Sequence, residues 1–108
     1  MTDTKPRSEM TTWEIQVPRA TDPTHVAEIV EATIKTSGLR VAIRRSLAGD
    51  PNSQHWHLKR GEATGTLELT WSPSQNRLWA SVHANRAGSW VLPALTSLCD
   101  DLEGRLNR

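Results

Sequence analysis

Residues 56–85, WHLKRGEATGTLELTWSPSQNRLWASVHAN, decide the fold because they contain three strand-like segments and the two turns between them. Residues 66–71 alternate polar and apolar side chains with a period of two, as a strand with one buried face requires. Residues 73–76 begin with proline and end with asparagine, which favours a tight hairpin loop. We therefore expect an antiparallel meander of three strands.

The later hairpin loop predicts which residues face each other. It sets Trp71 opposite Leu78, and the alternation then places Trp79 on the other face of the sheet. The earlier turn, at 61–64, fixes the other pair of strands in the same way. The apolar inner face is predicted to consist of Trp56, Leu58, Leu67, Leu69, Trp71, Leu78, Ala80 and Val82. The polar outer face is predicted to consist of His55, His57, Lys59, Thr66, Glu68, Thr70, Arg77, Trp79, Ser81 and His83.

A strand and an amphipathic helix precede this meander. Residues 13–17 alternate in the same way as the later strands. Asp22 followed by Pro23 is typical of a helix N-terminus, and Gly38 provides the C-terminal stop. The apolar residues between them recur with the spacing of one helix face. They are Val26, Ile29, Val30, Thr33 and Ile34.

A further strand and a last helix complete the chain. Residues 39–45 alternate again, and this alternation predicts that Ile43 points inward and Arg44 outward. Ser89 is the expected N-cap of the last helix. The apolar stripe of that helix consists of Val91, Leu95, Leu98 and Leu102.

The element order β-α-β-β-β-β-α predicts the fold class α+β. Each helix has one apolar stripe and the sheet has one apolar face, so both helices should cover that face and leave the other open. We expect a two-layer sandwich, a mainly antiparallel five-stranded sheet with two helices on one face. The sequence leaves open whether the first strand pairs with the second or with the last, and the register between strands two and three.

The chain of 108 residues is long enough for one domain with a single hydrophobic core. Residues 1–11 are polar and without periodicity, which predicts a mobile N-terminal tail followed by a single domain at 12–108. The one cysteine, Cys99, excludes an intramolecular disulfide. No signal peptide or membrane-spanning run is evident. We therefore expect a cytoplasmic protein without a membrane partner.

Three histidines near the outer face suggest a first kind of site. His55 and His57 share a face of one strand about 7 Å apart, and Glu68 opposite His57 adds a carboxylate. His83 lies a further strand away, with its Cβ about 10 Å from that of His57, which is too wide for one small cation. We therefore expect no metal and no cofactor, and interpret His57 and Glu68 as a pair that stabilises the surface.

Cations around an outward-facing tryptophan suggest a second kind of site. Residues 38–90 contain seven Lys or Arg against three Asp or Glu, which favours anionic partners. Trp79 would stack on a base while nearby cations hold phosphates. These cations are Arg40, Arg44, Lys59 and Arg77. A single aromatic and a formal net charge of only +1 argue against strong non-specific binding, so nucleic acid is the second choice of partner.

The corner after the last strand suggests a third kind of site. His83, Asn85 and Arg86 precede the N-terminal N–H groups of a helix, an arrangement that holds anions. Trp90 would then be a lid or a recognition anchor. A hydrophobic plug at an ordinary corner is the simpler interpretation of this tryptophan.

No activated nucleophile, glycine-rich phosphate loop or paired carboxylate nominates a reaction, so we expect a protein that is not an enzyme. We expect a small interaction module, of adaptor, inhibitor or immunity type, that binds a protein partner or itself through the open face of the sheet. A nucleic-acid-binding module is the alternative, and a domain that binds a small ligand or a metal is the second alternative. The expected binding residues are Trp79, Arg77, His83, Asn85, Arg86, Trp90, Arg40, Arg44, His55 and His57.

Overall fold

The computed structural model describes residues 10–108, which form one five-stranded antiparallel sheet and two α-helices. In chain order the elements are β1 (Met10–Ile15), α1 (Pro23–Thr36), β2 (Arg40–Leu47), β3 (Asp50–Lys59), β4 (Leu67–Ser72), β5 (Arg77–His83) and α2 (Val91–Leu106). Short 3-10 turns at Pro73–Gln75 and Ala84–Arg86 follow β4 and β5. The predicted α+β fold and the predicted element order are confirmed.

The first strand begins at Met10, before the predicted domain boundary. Met10 lies opposite His83, and Thr11 lies opposite Val82, so the last two residues of the predicted tail belong to the sheet. The rest of that tail prediction lies outside the described residues. No helix within residues 10–108 is long and apolar enough to cross a membrane.

The strand order is β1-β5-β4-β3-β2, and neighbouring strands are antiparallel throughout. The first strand therefore pairs with the last strand, which decides between the two arrangements that the sequence allowed. The connection through α1 joins strands at opposite edges of the sheet, rather than a neighbouring parallel pair. The chain between β1 and β2 consequently crosses from one edge of the sheet to the other, and α1 contacts β2, β3 and β4.

The predicted register of the meander is confirmed. Trp71 lies opposite Leu78, and Trp79 lies opposite Thr70 on the other face. The connecting loop closes because Asn76 adopts the left-handed conformation, with φ at 47°, which asparagine tolerates better than most residues. Within the meander, the inner and outer residues therefore lie on the faces that the alternation predicts.

Both helices share one hydrophobic core with the inner face of the sheet. The indole N–H of Trp71 donates to the carbonyl of Pro23 at 3.3 Å, and that of Trp56 donates to Glu31 at 2.6 Å, so both inner tryptophans are tied to α1. The helices contribute fully or almost fully buried residues from the predicted stripes. These are Val26, Val30, Ile34, Val91, Leu95, Leu98 and Leu102.

The two helix N-termini differ in how they are capped. Asp22 is the N-cap of α1, as predicted, and its side chain accepts a hydrogen bond from the Thr24 N–H at 2.9 Å. The N-cap position of α2 is Trp90, which makes no side-chain cap hydrogen bond. The prediction that Ser89 caps this helix is wrong.

An irregularity in β2 corrects the predicted faces of two residues. A register shift between Val41 and Ile43 places Ile43 opposite His57 on the outer face and Arg44 opposite Trp56 on the helix side. Ile43 is 43% exposed. The predicted inward Ile43 and outward Arg44 are wrong because one extra residue in a strand inverts the alternation beyond it.

Arg44 therefore belongs to the helix side rather than to the open face. Its guanidinium donates two hydrogen bonds to the Glu31 carboxylate, each 2.7 Å long. The hydrogen bond from Arg44 lowers the pKa of Glu31 against the opposing effect of burial, and the Trp56 N–H adds to the lowering. Glu31 consequently joins α1 to both β2 and β3.

Removing the Glu31 carboxylate tests this junction. Glu31→Ala is expected to lower the free energy of unfolding by about 1–2 kcal/mol at neutral pH, because it leaves the Trp56 N–H without its acceptor. The folded pKa lies below the ordinary value of 4.5, so the charge-dependent part of this stabilisation is complete above that value and disappears as the pH falls through the folded pKa. Urea denaturation of both proteins across this range checks the prediction. A difference that does not shrink in acid would contradict it.

The loop between β3 and β4 and the loop before α2 approach each other closely at Thr64 and Gly88. A Cβ added at Gly88 would lie 1.8 Å from the carbonyl oxygen of Thr64. Gly88→Ala should therefore force the backbone apart and lower the free energy of unfolding by about 2–4 kcal/mol in urea denaturation. Gly104→Ala is the matched control, since Gly104 lies in α2 with nothing within 4 Å, and should raise stability by about 0.5–1 kcal/mol. Similar effects for the two variants would refute the close approach.

Candidate functional site

Three histidines and one arginine surround the carboxylate of Glu68 on the outer face of the sheet. His55 Nε2 lies 3.2 Å from Glu68 Oε1, and His57 Nε2 lies 3.8 Å from the same oxygen. His83 Nε2 lies 3.4 Å from Glu68 Oε2, and Arg86 Nη1 lies 3.8 Å from that oxygen. We call these five residues the His–Glu cluster.

The register of the central strands brings the cluster together. Glu68 on β4 lies opposite His57 on β3 and opposite Ser81 on β5. His55 precedes His57 by two residues, and His83 follows Ser81 by two, so both rings share the face of the carboxylate. His57 and His83 are separated by β4, as expected. Glu68 lies on β4 and contacts both rings.

Three members of the cluster present their ligand atoms to one point. Within residues 10–108, a single group of three or more His, Cys, Asp or Glu side chains has ligand atoms that all lie within 4.8 Å of one another, and it is His55, His57 and Glu68. The two Nε2 atoms are 3.1 Å apart, and they lie 3.2 and 3.8 Å from Oε1. Tetrahedral metal sites with bonds of about 2.0–2.2 Å separate neighbouring ligand atoms by about 3.3–3.6 Å. The three atoms thus approximate one face of such a tetrahedron.

A buried hydroxyl holds the ring of His55. His55 Nδ1 lies 2.7 Å from Thr70 Oγ1, and Thr70 is 1% exposed. The Thr70 hydroxyl can accept a hydrogen bond from Nδ1 while a metal ion takes the place of the hydrogen on Nε2. The contact is therefore compatible with the tautomer that a metal ligand requires.

The protonation states of two members suit a bound cation. Burial lowers the pKa of His57, so its imidazole is neutral at neutral pH. A hydrogen bond from His55 lowers the pKa of Glu68 against the effect of burial, and electrostatic interactions with the neighbouring histidines add to the lowering. A neutral imidazole and an ionised carboxylate are the forms that bind metal ions.

Most of the predicted cationic platform is engaged elsewhere. Arg77 pairs with Glu14 from β1, and its guanidinium lies 4.0 Å from the centre of the Trp79 ring. Trp79 is on the outer face, as predicted, but it is half-buried. Arg40 donates to the carbonyl of Gly61 at 3.1 and 3.3 Å. These contacts hold the surface together rather than leaving its cations free.

The corner after β5 separates the residues that were predicted to act together there. Trp90 is 7% exposed, and its indole N–H donates to the carbonyl of Thr64 at 2.9 Å, so it is a hydrophobic plug and not an accessible anchor. His83 and Arg86 belong to the His–Glu cluster. Asn85 is exposed in the intervening 3-10 turn and makes no side-chain hydrogen bond to the described residues.

Sequence reasoning missed two residues beside the cluster. Thr70 lies opposite His55, so the predicted register contained the signal for their contact. Arg45 also lies opposite His55, from β2, but only because of the register shift in that strand. Nothing in the regular alternation of residues 39–45 indicates that shift.

Cys99 takes no part in the cluster. It lies in α2 and is 8% exposed. Burial raises the pKa of its thiol to about 11, and the charges of Glu103 and Asp100 add to the effect. The thiol is therefore protonated at neutral pH and is a packing group rather than a nucleophile.

Comparisons of the chain with protein-family models, with curated proteins and with solved structures found no match.

Proposed function

We propose that the protein binds a divalent transition-metal ion such as Zn²⁺ through His55, His57 and Glu68. The observation that carries this proposal is the triangle of ligand atoms, whose edges are 3.1, 3.2 and 3.8 Å. Two imidazoles and one carboxylate form a ligand set that suits zinc. This function is the second alternative from the sequence, and it departs from the expectation of no metal.

Neighbouring groups support the three ligands. Thr70 orients the ring of His55, as the outer hydrogen-bond partners of metal ligands usually do. His83 and Arg86 lie beside the second oxygen of Glu68 and leave the first oxygen to the metal. Three protein ligands leave one tetrahedral position free, whereas closed structural zinc sites use four.

Isothermal titration calorimetry of metal-stripped, tag-free protein checks the proposal. Wild type is expected to bind one Zn²⁺ ion per chain. His57→Ala and Glu68→Gln are each expected to weaken binding by at least about 100-fold, because each removes one of three ligands. His25→Ala is the matched control, since this histidine is 61% exposed on α1, which packs on the opposite face of the sheet, and the variant should bind as wild type does.

Stability measurements distinguish lost ligands from lost structure. Each variant should show the far-ultraviolet circular dichroism of the wild type. Zn²⁺ at about 100 times its dissociation constant should stabilise wild type by about 2.7 kcal/mol and leave His57→Ala and Glu68→Gln unchanged. Absence of zinc binding by wild type, or equal binding by both cluster variants, would contradict the proposal.

Association with a protein partner or with a second copy through the outer face is a second candidate function. The observation that favours it is Ile43, which is 43% exposed on the face that no helix covers and lies opposite His57. An adaptor, inhibitor or immunity role would use this same surface. Nucleic-acid binding is less well supported, because Arg44 lies on the helix side and Arg77 pairs with Glu14.

Sedimentation velocity tests association between copies. Wild type is expected to show a concentration-dependent dimer, and Ile43→Asp is expected to be monomeric because it places a charge in the interface. Leu92→Asp is the matched control, since Leu92 is 50% exposed on α2 and away from this face. Both substitutions should change the free energy of unfolding by less than about 1 kcal/mol. A wild type that stays monomeric would contradict self-association.

A further inference from the structure

We infer that the bound metal ion takes a small oxyanion, a carboxylate or phosphate group, as its remaining ligand, with Arg45 and Arg86 binding further oxygens of that anion. The inference rests on the proposed metal-binding function, because the first contact of the anion is the metal ion itself. It assigns a ligand class to the open coordination position.

The charge of the loaded site is the first argument. A divalent ion brings two positive charges, and Glu68 neutralises one of them. Arg45 and Arg86 each add a positive charge at the edge of the cluster. The site is then strongly positive in a place where its ligand side chains are almost buried, with exposed fractions of 8–12%. An anion compensates this charge, whereas a neutral ligand does not.

Other carboxylates on this face are already engaged. Glu14 pairs with Arg77 at the far side of the sheet. Asp50 accepts a hydrogen bond from the Ser72 hydroxyl at 2.8 Å. Within residues 10–108, no second Asp or Glu side chain joins the group of possible ligands around the open position.

Arg86 has donors that the described residues do not use. Its side chain is 51% exposed, and its distance of 3.8 Å from Glu68 Oε2 is longer than a hydrogen bond. Within residues 10–108 it makes no other ion pair. The Arg86 carbonyl accepts a hydrogen bond from the Thr66 N–H at 2.9 Å, which holds the turn beside the cluster.

Arg45 approaches the cluster from the opposite side. It lies opposite His55 on the outer face, is exposed, and makes no ion pair within the described part of the chain. Arg45 is the cross-strand neighbour of the ligand His55, and Arg86 lies 3.8 Å from Glu68 Oε2, so the two arginines border the metal ligands from opposite sides. Their planar donor pairs match the oxygens of carboxylate and phosphate groups.

Visible absorption of the cobalt-loaded full chain tests the inference. Inorganic phosphate and acetate are the two probes, and both are titrated against a chloride background of matched ionic strength. At least one probe should change the spectrum of the bound Co²⁺ in a saturable way, and the probe that binds more tightly identifies a phosphate or a carboxylate as the ligand. Arg45→Gln and Arg86→Gln should each weaken this binding about tenfold. Arg19→Gln, an exposed arginine in the loop before α1, is the matched control and should not.

The outcomes separate this inference from the proposed function. Cobalt binding with a spectrum that neither probe changes overturns the inference and leaves the metal site standing, whereas absence of cobalt binding overturns both. Equal anion affinity in all three arginine variants overturns the roles of Arg45 and Arg86. If a probe converts the spectrum into that of free Co²⁺, the probe has removed the ion from the protein. This outcome also overturns the inference.

Discussion

The antiparallel register of β3, β4 and β5 is the constraint on which the rest of the structure depends. It sends Trp56 and Leu69 inward to the helices while His57 and Glu68 point outward. A slip of one residue would exchange these pairs, so that the core would lose Trp56 and the Glu68 carboxylate would be buried beneath the helices. The burial of the core and the convergence of the histidines are therefore consequences of the same pairing.

Glu68 explains why the outer face is organised as it is. Its side chain is 8% exposed at the centre of the sheet, where an unpaired carboxylate would be costly. The cluster supplies three imidazoles and a guanidinium as partners. Yet two Nε2 atoms 3.1 Å apart are a favourable contact only when a proton or a cation lies between them. A network of surface ion pairs needs one proton at this point, and a metal site replaces that proton with an ion that all three ligand atoms bind.

The sequence predicts local pairings well and departures from regularity poorly. The register around Trp71, the cap at Asp22 and the outer position of Trp79 follow from turn chemistry and alternation, which act over a few residues. The shift in β2 does not, because residues 39–45 alternate regularly and the extra residue appears only against β3. The spacing of the strands predicts how far apart the Cβ atoms of the histidines lie, and that distance argued against a shared site. It does not predict that the ends of these long side chains converge on a carboxylate that lies between them.

A crystal structure of the zinc-loaded protein, with anomalous scattering recorded at the zinc absorption edge, tests the central claim most directly. The claim predicts one anomalous peak on the outer face, about 2.0–2.2 Å from His55 Nε2, His57 Nε2 and Glu68 Oε1. A peak at another residue such as His25, or a cluster without a peak in crystals that contain zinc, would contradict it.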